Sequence, residues 1–210
     1  MRPNPAFRQT PRQKAIDYAR EQGFGLLSCG TSDGAPLISH IPFLLSGDGR
    51  QAEFHLVRSN PIVRLLTKAS HPMRLAVQGP YAYISPDWYG VEDQVPTWNY
   101  VAVHLVGQVS LRPVDELHDL LDRQSAMFEK RLLPKPPWTS DKMTPDVMDR
   151  MMRQIVPCAM EIHDVQGTWK LNQNKPDDVR QRAAEHVEPY GIGQETALVA
   201  ALMRAAGRND

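Results

Sequence analysis

The chain has 210 residues with 24 basic and 24 acidic side chains, so its formal net charge is zero, and 41% of it is apolar against 23% charged. That balance excludes a disordered chain and a whole-protein field that would attract nucleic acid or anionic membrane, while leaving room for a local basic patch. At this length one domain buries a real core without staples, so Cys29 and Cys158 read as two reduced, buried thiols rather than a disulfide or a metal pair.

Thr10-Pro11-Arg12-Gln13 has capping-box spacing with proline at the first helical position, which predicts a helix over 11–22 that stops at Gly23. Residues 25–29, 36–45 and 51–57 read as three strands. Asp33-Gly34 and Ser46-Gly47-Asp48-Gly49 supply the tight turns between them. Asn60-Pro61 then caps a short helix through Lys68 with Ile62, Leu65, Leu66 and Ala69 on one face. Strands are expected over 73–78 and 81–85, flanking a turn at Gly79-Pro80, and over 97–111, a long β-branched and aromatic run. A helix over 113–132, a proline-rich connection and a helix opened by Thr144-Pro145 precede a strand over 158–165. The tail reads as two helices broken at Pro189-Tyr190-Gly191.

About seven strands without regular βα alternation predict an α+β fold whose antiparallel sheet hides its edges as a barrel. One domain over 1–176 is expected, with a helical tail over 177–210 packed on it. Met1 to Gln9 carries no apolar stretch of the signal-peptide kind, and no run approaches the ~20 apolar residues of a membrane span. The cytoplasm fits these features and the two thiols.

Three stretches could carry chemistry. His55-Leu56-Val57-Arg58-Ser59-Asn60-Pro61 ends a strand and opens a helix, bringing a guanidinium, a hydroxyl and helix-start amides into one corner; a phosphate site and a plain strand-to-helix junction both fit it. Trp88, Tyr89, Trp98 and Tyr100 flank one loop with Thr97 and Asn99, and such rings either line a planar ligand or pack as core. Lys170 to Lys175 places two lysines and three carboxamides in six residues, which suits a ligand contact or a solvated turn. The histidines show no metal-binding spacing, and His40 and His104 read as ordinary core or surface residues, so no metal is expected. Walker and GxGxxG motifs are missing from the sequence, and no residue stands out as a catalytic acid or base.

Four strings, His55–Pro61, Gln78–Tyr89, Val95–Tyr100 and Lys170–Pro176, resemble in order and spacing the signature blocks of the PaiB family, described as FMN-binding negative transcriptional regulators. The resemblance implies an antiparallel split β-barrel with flanking helices, similar to pyridoxamine-phosphate oxidases and flavin reductases, working as a homodimer with FMN in a cleft between subunits. It also implies that Arg58, Ser59 and Asn60 hold the phosphate while Ser39, His40 and Ile41 face the isoalloxazine. Trp98, Asn99 and Tyr100 would wall the cleft, and Lys170, Gln173, Asn174 and Lys175 would close it from one subunit or the other. Two functions then compete: transcriptional repression, and a flavin-dependent oxidoreductase or flavin reductase using NAD(P)H. DNA binding has no motif behind it, since the tail's second helix carries a single cation, Arg204, between Glu195 and its end.

Overall fold

The computed structural model describes residues 4–32 and 34–207. Helix α1 (Arg12–Gln22) ends where Gly23 takes φ +60°, the left-handed conformation that glycine adopts without strain. Strands β1 (Phe24–Cys29), β2 (Leu37–Pro42), β3 (Leu44–Leu45) and β4 (Gln51–Val57) follow. Asp33 lies outside the described residues, so the first predicted turn is left aside. The second is present: the Ser46 hydroxyl accepts from the N–H groups of Arg50 (3.1 Å) and Gln51 (2.9 Å), which turns the chain between β3 and β4. Helix α2 (Pro61–Leu66) is capped by Asn60 and buries Ile62, Val63 and Leu66.

The largest difference from the sequence reading comes next. Strand β5 (His71–Ile84) is continuous through Gly79-Pro80, where a turn was expected. On one edge it pairs with β1 over Met73–Ala76 and with β8 (Gly193–Gln194) over Tyr81-Ala82. Pro80 falls between those two ladders, so its missing N–H breaks neither of them. Strand β6 (Thr97–Leu111) has the predicted limits. Helices α3 (Leu117–Glu129) and α4 (Pro145–Met152) precede β7 (Ile155–Lys170), which is twice as long as the run that the sequence marks. Pro157 does not delay its start: the Pro157 carbonyl accepts from the N–H of Arg112 (2.9 Å), one residue beyond β6, where that ladder is already ending. Helix α5 (Asp177–Tyr190) includes Pro189, whose missing N–H removes one bond one residue before the helix ends, and α6 (Thr196–Ala205) follows β8.

The sheet order is β2-β1-β5-β6-β7-β4-β3, with β8 on β5, and the pairings of β1 with β2 and β5, of β4 with β3 and β7, and of β5 with β8 are antiparallel. Contacts divide the described chain into two compact units, one of residues 4–15, 78–103 and 166–207, the other of 16–77 and 104–165. The boundaries fall inside α1, β5, β6 and β7. In the first unit Ala82, Ile84, Tyr89, Val101 and Val199 are buried; in the second, Leu27, Phe43, Phe54, Ile62, Leu75 and Leu105. The tail belongs to the first unit, where α6 buries Val199, Ala200 and Met203 and its last carbonyls accept from the Arg180 Nε (Met203, 2.8 Å) and Gln181 Nε2 (Arg204, 3.0 Å) of α5. No described helix is long and apolar enough to cross a membrane.

Candidate functional site

The thirteen residues singled out from the sequence form two groups, six in the second unit and seven in the first. In the second unit the strand β4 delivers Arg58 and Ser59 to an exposed corner, and Asn60 begins α2. Arg58 is not a loose cation. Its Nε donates to the Arg153 carbonyl (3.0 Å), its Nη2 to the Ile155 carbonyl (3.2 Å), and its backbone N–H to the Gln154 carbonyl (2.8 Å). Two of five guanidinium N–H groups are thereby committed, so the plane of the fork is fixed while the rest can meet an anion.

Asn60 is engaged at both ends: Oδ1 accepts from the Ile62 N–H (2.9 Å) and Nδ2 donates to the Ser39 Oγ (2.7 Å). The Asn60 carboxamide therefore positions other groups, and Ser39, a β2 residue, is drawn to the corner with its own hydroxyl proton still to donate. Strand alternation separates the β2 trio. Ile41 is buried and shares a face with Ser39, whereas His40 is exposed on the opposite face, stacked on Phe24 at 6.4 Å between centroids.

The first unit holds the aromatic and carboxamide groups, and β6 divides them in the same way. Trp98, 45% exposed, meets Tyr81 (6.0 Å) and Tyr83 (5.8 Å) as a ring cluster, while Asn99 is wholly buried on the other face. Neither end of the Asn99 carboxamide has a hydrogen-bond partner in the structure. Tyr100 shares the face of Trp98 by the two-residue period and is half-buried.

Lys170 is 4% exposed, with its ammonium donating to the Thr97 hydroxyl and the Trp98 carbonyl. The Gln173 Oε1 accepts from the Leu171 N–H (2.8 Å) and its Nε2 donates to the Ala6 (3.2 Å) and Trp169 carbonyls. Lys175 donates to Gln94 and lies 4.3 Å from the centroid of the Tyr89 ring. Asn174 is the exposed member. Two neighbours outside the thirteen complete this network: Asn172, at φ +63°, donates its Nδ2 to the Tyr89 hydroxyl (3.0 Å), and Arg182 donates its Nε to the Tyr89 carbonyl (3.0 Å). Their partners are 83 and 93 positions away in the chain, so no local signal marks them.

The donor set fits a flavin mononucleotide. In the second unit an oriented guanidinium, the exposed Ser59 hydroxyl and the Ser39 hydroxyl are donors of the kind that a phosphate takes; in the first unit the buried Asn99 amide has neither its donor nor its acceptor satisfied. Among the described residues no group of three His, Cys, Asp or Glu side chains is placed to hold a metal ion.

Residues 1–164 match the family model described as a putative FMN-binding domain. The chain is 33% identical over 171 residues, 80% of each protein, to the protease synthase and sporulation protein PAI 2 of Bacillus subtilis. The chain belongs to the PaiB family. As a PaiB-family protein it takes FMN as cofactor. Among solved structures, the FAD and heme binding protein from Mycobacterium smegmatis matches at TM-score 0.56 and 17% identity, covering 89% of this chain and 82% of that one. The conserved hypothetical protein Rv2991 from Mycobacterium tuberculosis matches at TM-score 0.56 and 12% identity over 84% and 94%. These likenesses show the fold, an antiparallel split β-barrel with flanking helices.

Proposed function

We propose that this PaiB-family protein is a cytoplasmic homodimer that holds the FMN phosphate where β4 meets α2, and that it acts as a negative regulator of transcription. The clamp on Arg58 carries the phosphate assignment. An exposed arginine with no function gains little from a fixed geometry, since holding its side chain costs rotamer entropy; here the carbonyls of Arg153 and Ile155 orient the guanidinium. Arg58 would supply charge-assisted bonds, Ser59 and Ser39 hydroxyl donors, and Asn60 the positioning of Ser39. Trp98 with Tyr81 and Tyr83 offers the flat apolar surface that a fused ring system packs on. Bound FMN supplies hydride and electron-transfer chemistry, and the protein supplies orientation.

The dimer is supported by Phe24 and Ile38, about half exposed on one face of the β1–β2 ladder, where Leu26 lies opposite His40 and Ser28 opposite Ile38. The regulatory role follows from the family. DNA contact through α6 is not supported, because its Arg204 is paired with Glu188 (3.3 Å).

Fluorescence titration with FMN tests the phosphate assignment: Arg58→Ala should weaken binding by about 1.5–3 kcal/mol, the worth of a hydrogen bond to a charged group. Equal affinity would move the phosphate elsewhere. For the role, a salt-sensitive footprint on DNA upstream of its own coding sequence supports the regulator, and NAD(P)H-dependent bleaching of bound FMN supports the oxidoreductase instead.

A further inference from the structure

A cavity of about 450 Å³ lies in the second unit, and no residue assigned above to the cofactor lines it. The thioethers of Met143, Met148, Met151 and Met152 surround it together with Leu121 and Trp138. Four of the chain's nine methionines thus converge on one hollow. No lining residue is ionisable, and the single polar one is Gln154.

The volume is that of a small-molecule pocket, which runs from roughly 300 to 1,000 Å³. A charged guest would lose its hydration here with no counter-charge to meet, so the lining selects against ions. Methionine side chains are flexible and polarisable and make favourable contacts with aromatic rings, so this wall moulds itself to a flat apolar guest. One wall is rigid and the other adaptable. Gln154 and Ile155 sit in the strip that Arg58 pins through the carbonyls of Arg153, Gln154 and Ile155, while α4 brings three of the methionines.

We propose that this cavity binds a neutral, aromatic, predominantly apolar small molecule. The inference is independent of the flavin assignment, and its test uses no flavin. Full-length protein is titrated with aminoanthracene, a neutral aromatic fluorophore. Saturable one-to-one binding is expected, with enhanced blue-shifted emission; the part of that emission excited through tryptophan should fall in Trp138→Phe while directly excited emission persists. Leu121→Trp, which fills the hollow, and Met151→Lys, which places a charge at a lining residue that is already 55% exposed, should each weaken binding at least tenfold. If circular dichroism shows that Leu121→Trp fails to fold, Met151→Lys decides alone. Absence of saturable binding overturns the proposal, as does a folded Met151→Lys protein that binds like the parent. A parent that binds no probe but loses its dimer mass on Met151→Lys overturns it too, and makes the hollow a face between copies of this chain.

Discussion

Burial holds His55 below its ordinary pKa of 6.5, against a hydrogen bond with Gln124 that works the other way. Burial also lowers His104, and the nearby Arg74 charge adds to it. In both residues Nδ1 lacks a hydrogen-bond partner, so neither imidazole is set up to receive a proton cheaply. Well above pH 6.5 both are neutral, folded or unfolded. As pH falls through 6.5 the unfolded chain takes up protons that the folded one refuses, so stability is complete at neutral pH and declines on the acid side. Urea midpoints measured between about pH 7.5 and pH 5 should fall in the parent and fall less steeply in a His55→Gln, His104→Gln variant; parallel profiles would remove both residues from the account. The cysteines show what residue type alone can indicate. Both are free and buried, and burial raises Cys29 and pushes Cys158 up to about 12, so they remain protonated thiols. The role of Asn60 was half legible: asparagine before proline marks a helix cap, but its other end reaches Ser39, 21 residues away.

At the scale of elements, what the sequence marks clearly are runs with one period. β6 alternates buried positions with half-buried or exposed ones from Trp98 to Ser110, and its limits were readable. Gly79-Pro80 reads as a break in β5 and the sequence marks only 158–165 of β7, whereas Pro80 and Pro157 stand where a ladder pauses or ends. Glycine in these strands has a different use. At Gly107 a Cβ would come within 2.0 Å of the Glu161 carbonyl oxygen of β7, a backbone atom that cannot swing aside. Gly107→Ala should therefore lower stability by about 1–3 kcal/mol through forced strand separation. A urea midpoint equal to the parent's would show that the strands part without cost.

For the whole molecule, assembly and cofactor are read together. If the Phe24 and Ile38 face joins two copies, light scattering should give about twice the 23.7 kDa chain mass, with flavin absorbance in the same peak. Ile38→Glu should shift the mass toward the single chain, because an unpaired carboxylate would be desolvated in the contact. A parent protein at single-chain mass would remove the dimer. The thirteen site residues were found as strings in the sequence, and which of them act together was not. Alternation along β2 and β6 turns His40 and Asn99 away from their sequence neighbours, and the stretch from Lys170 to Lys175 spends most of its polar groups within its own unit.

By itself the sequence determined the family and with it the cofactor, through its signature strings, and the Asn60 helix cap, the strands of regular period and the buried thiols, which depend on residue type at short spacing. The tertiary structure alone decided that Arg58 is clamped by residues 153–155, that Ser39 meets Asn60, that Asn99 is buried without partners, and that four methionines line one hollow. The physical reason is distance along the chain: a backbone carbonyl has no side-chain signature, and a contact across 95 residues exists only after the strands between have paired.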